Sequence, residues 1–210
     1  MGILDIFRRP PPIADLGSLA EFIDGNAAFL VQRGIYEYSR ARAGHYAKVL
    51  FREPEFLQEV ERARWRAYPL GLAMVGELVE GVLRPHVGEH RRQAHDRLTA
   101  LILSRFDRYP LSPTMIATEW EAARHQLSEH LKKHALHAPK LMVDVAEPFA
   151  RPYFDLMPIH KKLRASDFLP IRAYLKATLC NIHEKFEKSA DGPALARALI
   201  NAPADAPVTS

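Results

Sequence analysis

From residue 15 to about 188 the apolar side chains recur at intervals of three and four, and no stretch alternates in twos. Ile116, Trp120, Ala123, Leu127 and Leu131 step by 4, 3, 4 and 4. Phe168, Ile171, Leu175, Leu179, Ile182 and Phe186 step by 3, 4, 4, 3 and 4. Such steps return to one face of a helix with 3.6 residues per turn, whereas a half-buried strand needs a period of two. The expected fold is therefore all-α, an irregular bundle of about six to eight helices.

Breaks in this pattern set the expected helix boundaries. Asp24 to Asn26 are expected to separate a short helix (about 15–23) from a long one (about 27–51). The residue before a proline disfavours helical geometry, so Pro54 ends the second and opens a third. The third is expected to break or kink at Pro69 and to stop at Pro85. A helix over 87–107 ends at Tyr109-Pro110. Ser112 then reads as an N-cap, with Pro113 at the first helical position of a helix reaching His134. Pro139, Pro148, Pro152 and Pro158 limit residues 138–165 to short helical turns. That segment is rich in apolar groups, so it must lid the bundle core or line a pocket. Residues 14–188 are read as one domain, 1–13 as a flexible amphipathic segment, and 189–210 as a mostly flexible tail with a short helix near 193–200.

Composition removes several classes. The chain has 210 residues and a single cysteine, Cys180, so a disulfide-built module is excluded. Its longest uncharged runs, 67–76 and 109–118, are ten residues and contain proline; a membrane-spanning helix needs about 20 apolar residues. There is no GxGxxG, P-loop, GxSxG or CxxC, and no cofactor is expected. The net charge of +4 is spread along the chain, which gives weak attraction to anionic surfaces without marking a nucleic-acid site.

Ten histidines invite a metal reading. His130 and His134 are i,i+4, and so are His86 and His90, a spacing that can grip one divalent ion with a third ligand. No Glu-x-x-His or His-Glu-x-x-His occurs, and the simpler reading places these rings on polar faces or at helix ends, His134 against a C-terminal dipole. The doublet His95-Asp96 spells that of the metal-dependent HD phosphohydrolases, but ten His and ten Asp in 210 residues supply about half such a pair by chance. Cys180, His183 and Glu187 share a helix, where an attack trajectory is hard to keep open, so Cys180 reads as a small hydrophobe. Glu77 and Glu80 lie in the most apolar helix. With Arg84 they share one face at i, i+3 and i+7, and read as a solvated stripe. Gly71, Gly76 and Gly81 on the same helix suggest close packing against a neighbour.

Two segments interleave arginine with aromatics, 33–42 and 62–68. Arg33, Tyr36, Arg40, Trp65 and Arg66 are the residue types that concentrate at protein interfaces. Glu37, Glu59 and Glu61 beside them would repel a phosphate backbone, which favours a protein partner over nucleic acid. At the N-terminus Ile3, Leu4, Ile6 and Phe7 precede Arg8 and Arg9, an order opposite to that of a secretory signal and suited to touching an anionic membrane surface. The first expectation is a non-enzymatic adaptor acting through protein contacts in the cytoplasm, peripheral on the inner membrane face. The second is a pocket for an apolar ligand, lipid or porphyrin-like cofactor built from Met74, Phe149, Tyr153 and Met157, with His134 or His160 nearby. The third is a metal-dependent hydrolase using the clustered histidines.

Overall fold

A computed structural model describes residues 12–134 and 137–201. All regular structure among them is helical apart from one parallel bridge between Ile13 and Ala190. The α-helices are α1 (Leu16–Ala43), α2 (Ala47–Leu50), α3 (Pro54–Val87), α4 (Arg91–Asp107), α5 (Ala117–His134), α6 (Met142–Val145), α7 (Glu147–Asp155), α8 (Phe168–Ser189) and α9 (Gly192–Asn201). Six of these run ten residues or longer. No described helix is long and apolar enough to cross a membrane.

α1 begins at a capping box: Asp15 Oδ1 accepts from the Ser18 backbone N–H (2.9 Å) while the Ser18 side chain reaches back to the Asp15 backbone. The expected break at Asp24–Asn26 does not occur. Asp24 is buried and accepts the hydroxyls of Tyr68 (2.7 Å) and Tyr109, and Asn26 Nδ2 donates to the Phe22 carbonyl. With both polar side chains satisfied inside the bundle, nothing remains to compete with the helical backbone. The real end of α1 is Gly44, whose φ of 52° suits glycine.

Pro69 and Pro85 likewise lie inside one helix of 34 residues. Each proline removes one N–H from the ladder; at Pro69 the burial of the adjoining stretch 71–80 outweighs that loss, while Pro85 stands exposed in the last turn. α3 is the hub, packed against α1, α4, α5, α8 and α9. At Gly71 an added Cβ would stand 2.8 Å from the Ala27 carbonyl, so the close approach expected of the glycines is real there. Gly81 has no neighbour within 4 Å and needs no such explanation.

α5 starts at Ala117, later than the Ser112-Pro113 signal predicts. The Ser112 oxygens instead hold a tight turn, its carbonyl accepting from the Met115 N–H at 2.9 Å. Residues 138–165 form only the short α6 and α7, as the prolines predict. This segment lies on the core, with Phe149 and Tyr153 buried and Arg164 donating to the Phe154 and Asp155 carbonyls. The packed body also continues past residue 188, because Leu195, Ala196 and Leu199 of α9 are buried against α3 and α4. Ile13 is clipped to the α8–α9 junction, its N–H donating to Ser189 O (2.8 Å) and its carbonyl accepting from Asp191 N–H (2.9 Å).

Candidate functional site

Two regions carry the polar and aromatic residues singled out above. The first is the outer surface of α1 and the start of α3. These helices run antiparallel: Tyr36 meets Phe51 near the connection (ring centroids 4.9 Å), whereas Ala27 approaches Gly71 farther along. Between them lies a groove of about 620 Å³ lined by Arg33, Tyr36, Phe51, Leu57, Val60 and Arg64 among others. Large apolar side chains stand exposed around it: Phe29 at 46%, Tyr36 at 45%, Leu57 at 43%, and Tyr46 and Val49 farther out. Water contact with that much apolar surface is unfavourable; Ile116, Leu141, Leu163 and Leu169 are exposed elsewhere, and what distinguishes this face is the groove beside it. A second groove, about 890 Å³, runs between α1 and α8 and also reaches Arg33.

The five expected partner-binding residues divide between two places. Arg33, Tyr36 and Arg40 are exposed along α1. Trp65 turns inward, donating Nε1–H to Glu61 (2.6 Å) and packing edge-on against Tyr68, Tyr109 and Trp120. Arg66 is exposed on the other side of that turn and does not line the groove. Arg62 is tied to the Thr114 carbonyl and to Glu59, and Arg64 to Glu61. Leu57 and Val49, which sequence reasoning passed over, belong to the exposed patch.

The second region is an ionic centre inside the bundle, and it corrects the reading of Glu77 and Glu80 as a solvated stripe. Both are buried, at 5% and 6% exposure. Glu80 is paired with Arg84, whose Nε donates to Oε1 at 2.9 Å and whose guanidinium also donates to the His134 and His137 carbonyls. Glu77 Oε2 stands 3.3 Å from His134 Nε2, and Oε1 lies 3.3 Å from His137 Nε2 and 2.7 Å from Lys140 Nζ. His134 is buried rather than placed on a polar face, and burial with the neighbouring His95, His137 and Lys140 pushes its pKa down to about 3. His95 and His130 are also shifted down, chiefly by desolvation. The lysine occupies the flank of Glu77 where a cation would sit. Among the described residues no group of three His, Cys, Asp or Glu side chains is placed to hold a metal ion. His95 is buried and Asp96 exposed, and both line one surface pocket with Thr99 and Lys132.

Met74, Phe149, Tyr153 and Met157, expected to line a ligand pocket, are buried core side chains, and the Tyr153 hydroxyl donates to the Val31 carbonyl at 2.9 Å. His160 is exposed and Cys180 half-buried. Ile3, Leu4, Ile6, Phe7, Arg8 and Arg9 lie outside the described residues. No family model matches this chain, and no curated protein or solved structure does either.

Proposed function

We propose that this protein is a helical adaptor that docks a partner polypeptide on the outer face of α1 and the first turns of α3. The observation that carries this reading is that exposed Tyr36 and Leu57 line a groove between two long helices, with exposed Phe29 on the neighbouring groove of α1. A groove of that form receives the apolar side chains of a third helix. Arg33 and Arg40 on its rim add direction to the contact, with Glu37 between them. The setting we assign is the cytoplasmic face of a membrane, with Ile3 to Arg9 as the membrane-touching segment. That part rests on the residue order alone.

The test places a photoreactive residue at position 36, 57 or 96 of the full chain in cells. Positions 36 and 57 should yield one adduct mass, identified by peptide sequencing, and position 96 on α4 should yield none. Equal adducts from all three positions, or none from any, overturn the docking reading. Deleting residues 1–9 should lower the membrane-bound fraction without changing the adduct. An unchanged fraction removes the membrane setting alone.

A further inference from the structure

The exposed stripe of α1 is Phe29, Arg33, Tyr36 and Arg40, with steps of 4, 3 and 4. That spacing reads the same in both directions, and reversal exchanges the two residue types. Position 29 falls on 40 and position 33 on 36, so every aromatic ring meets a guanidinium. Gln32 falls on Glu37 under the same reversal, an amide facing a carboxylate. We propose that the occupant of this surface is a second copy of the chain, with the two α1 helices antiparallel across a two-fold axis between Arg33 and Tyr36. The inference rests on the docking reading above and names its partner.

Three observations support it. Arginine over an aromatic face is already the chemistry of this stripe, since the Arg33 guanidinium lies 5.3 Å from the Phe29 ring centroid within its own chain. No carboxylate holds Arg33 or Arg40 among the described residues, so neither is locked in an ion pair, and the one contact of Arg33 to exchange is that with its own Phe29. The grooves of about 890 and 620 Å³ flank α1 on either side and meet at Arg33, leaving space for the side chains of an incoming helix. A two-fold contact uses one patch twice, so a pattern that complements its own reverse doubles each favourable pair. In this register no arginine of the stripe faces another.

Sedimentation velocity on the full chain over a wide concentration range reads the result. A monomer–dimer equilibrium is expected. Tyr36→Arg sets arginine against arginine at two places and should weaken dimerisation roughly tenfold or more. The double variant Arg33→Tyr/Tyr36→Arg keeps the reversed pattern and should restore the dimer, which a merely destabilising change would not do. Arg66→Glu, off the stripe, should leave it intact. A chain that stays monomeric at every concentration overturns the inference, and so does a dimer indifferent to Tyr36→Arg or not restored by the swap. A monomer that still forms a cross-link from position 36 to a different polypeptide overturns only the second-copy partner and leaves the docking reading standing.

Discussion

The outer face of α1 and the middle of α3 are both helical stretches that mix charges with apolar groups, and they end in opposite environments. On α1, Phe29 and Tyr36 face water beside Arg33 and Arg40. On α3, Glu77, Glu80 and Arg84 are enclosed. The difference comes from the neighbours. Among the described residues the outer α1 stripe has grooves on either side and no helix over it, whereas α3 is packed by seven helices and has no solvent side left in its middle. A helical stripe records which residues share a face. Only the number of packed neighbours decides whether that face is wet.

The contrast is broken most directly at Glu80. Glu80 is buried and Arg84 nearly so, and Glu80→Ala leaves the guanidinium with only the His134 and His137 carbonyls, which should cost about 3 kcal/mol in chemical denaturation. A loss no larger than that of an exposed pair would mean this centre behaves like surface. His134 sharpens it by pH. Its folded pKa of about 3 lies below the ordinary histidine value of 6.5, so the unfolded chain takes up a proton that the folded one refuses. Stability should therefore fall as pH drops from 6.5 towards 3, and His134→Gln should flatten that slope. An equally steep slope in the variant would shift the cause to another group.

Smaller effects separate the two glycines of α3. Gly71→Ala drives a methyl against the Ala27 carbonyl and should destabilise by about 1–3 kcal/mol despite the better helix former. Gly81→Ala meets open space and should raise stability by about 0.5–1 kcal/mol. Smallest of all, Arg66→Ala on the exposed side should stay within about 0.5 kcal/mol of the parent chain. A large loss there would place Arg66 in a contact that resembles the α3 centre.

The helical class, the α8 stripe, the α5 stripe apart from Ile116 (which precedes the helix and is exposed) and the proline-broken region were legible from spacing and proline chemistry, because those signals are local. Asp24 and Asn26 misled for the same reason: their turn-forming tendency is local, while the Tyr68 and Tyr109 hydroxyls that satisfy Asp24 lie 44 and 85 residues away. Glu77 was misread because Lys140 and His137 reach it from a connection with no periodicity. Trp65 shows the converse. Its neighbours Arg62 and Arg66 suggested a surface, yet Tyr109 and Trp120 from later elements draw the indole inward. Arg33, Tyr36 and Arg40 are exposed, since no later element packs over them among the described residues.

Phe22 of α1 rests against Phe186 of α8, ring centroids 4.9 Å apart, across 164 residues of chain. A ribosome adding about 5–20 residues each second needs roughly 8–33 s to make that length. For that interval the apolar side of the first helix has only its earlier-made neighbours to shelter it. Birth order thus leaves the Phe22 side of α1 open after α3 has covered the rest, and makes the last-made helices, α8 and α9, the ones that close it.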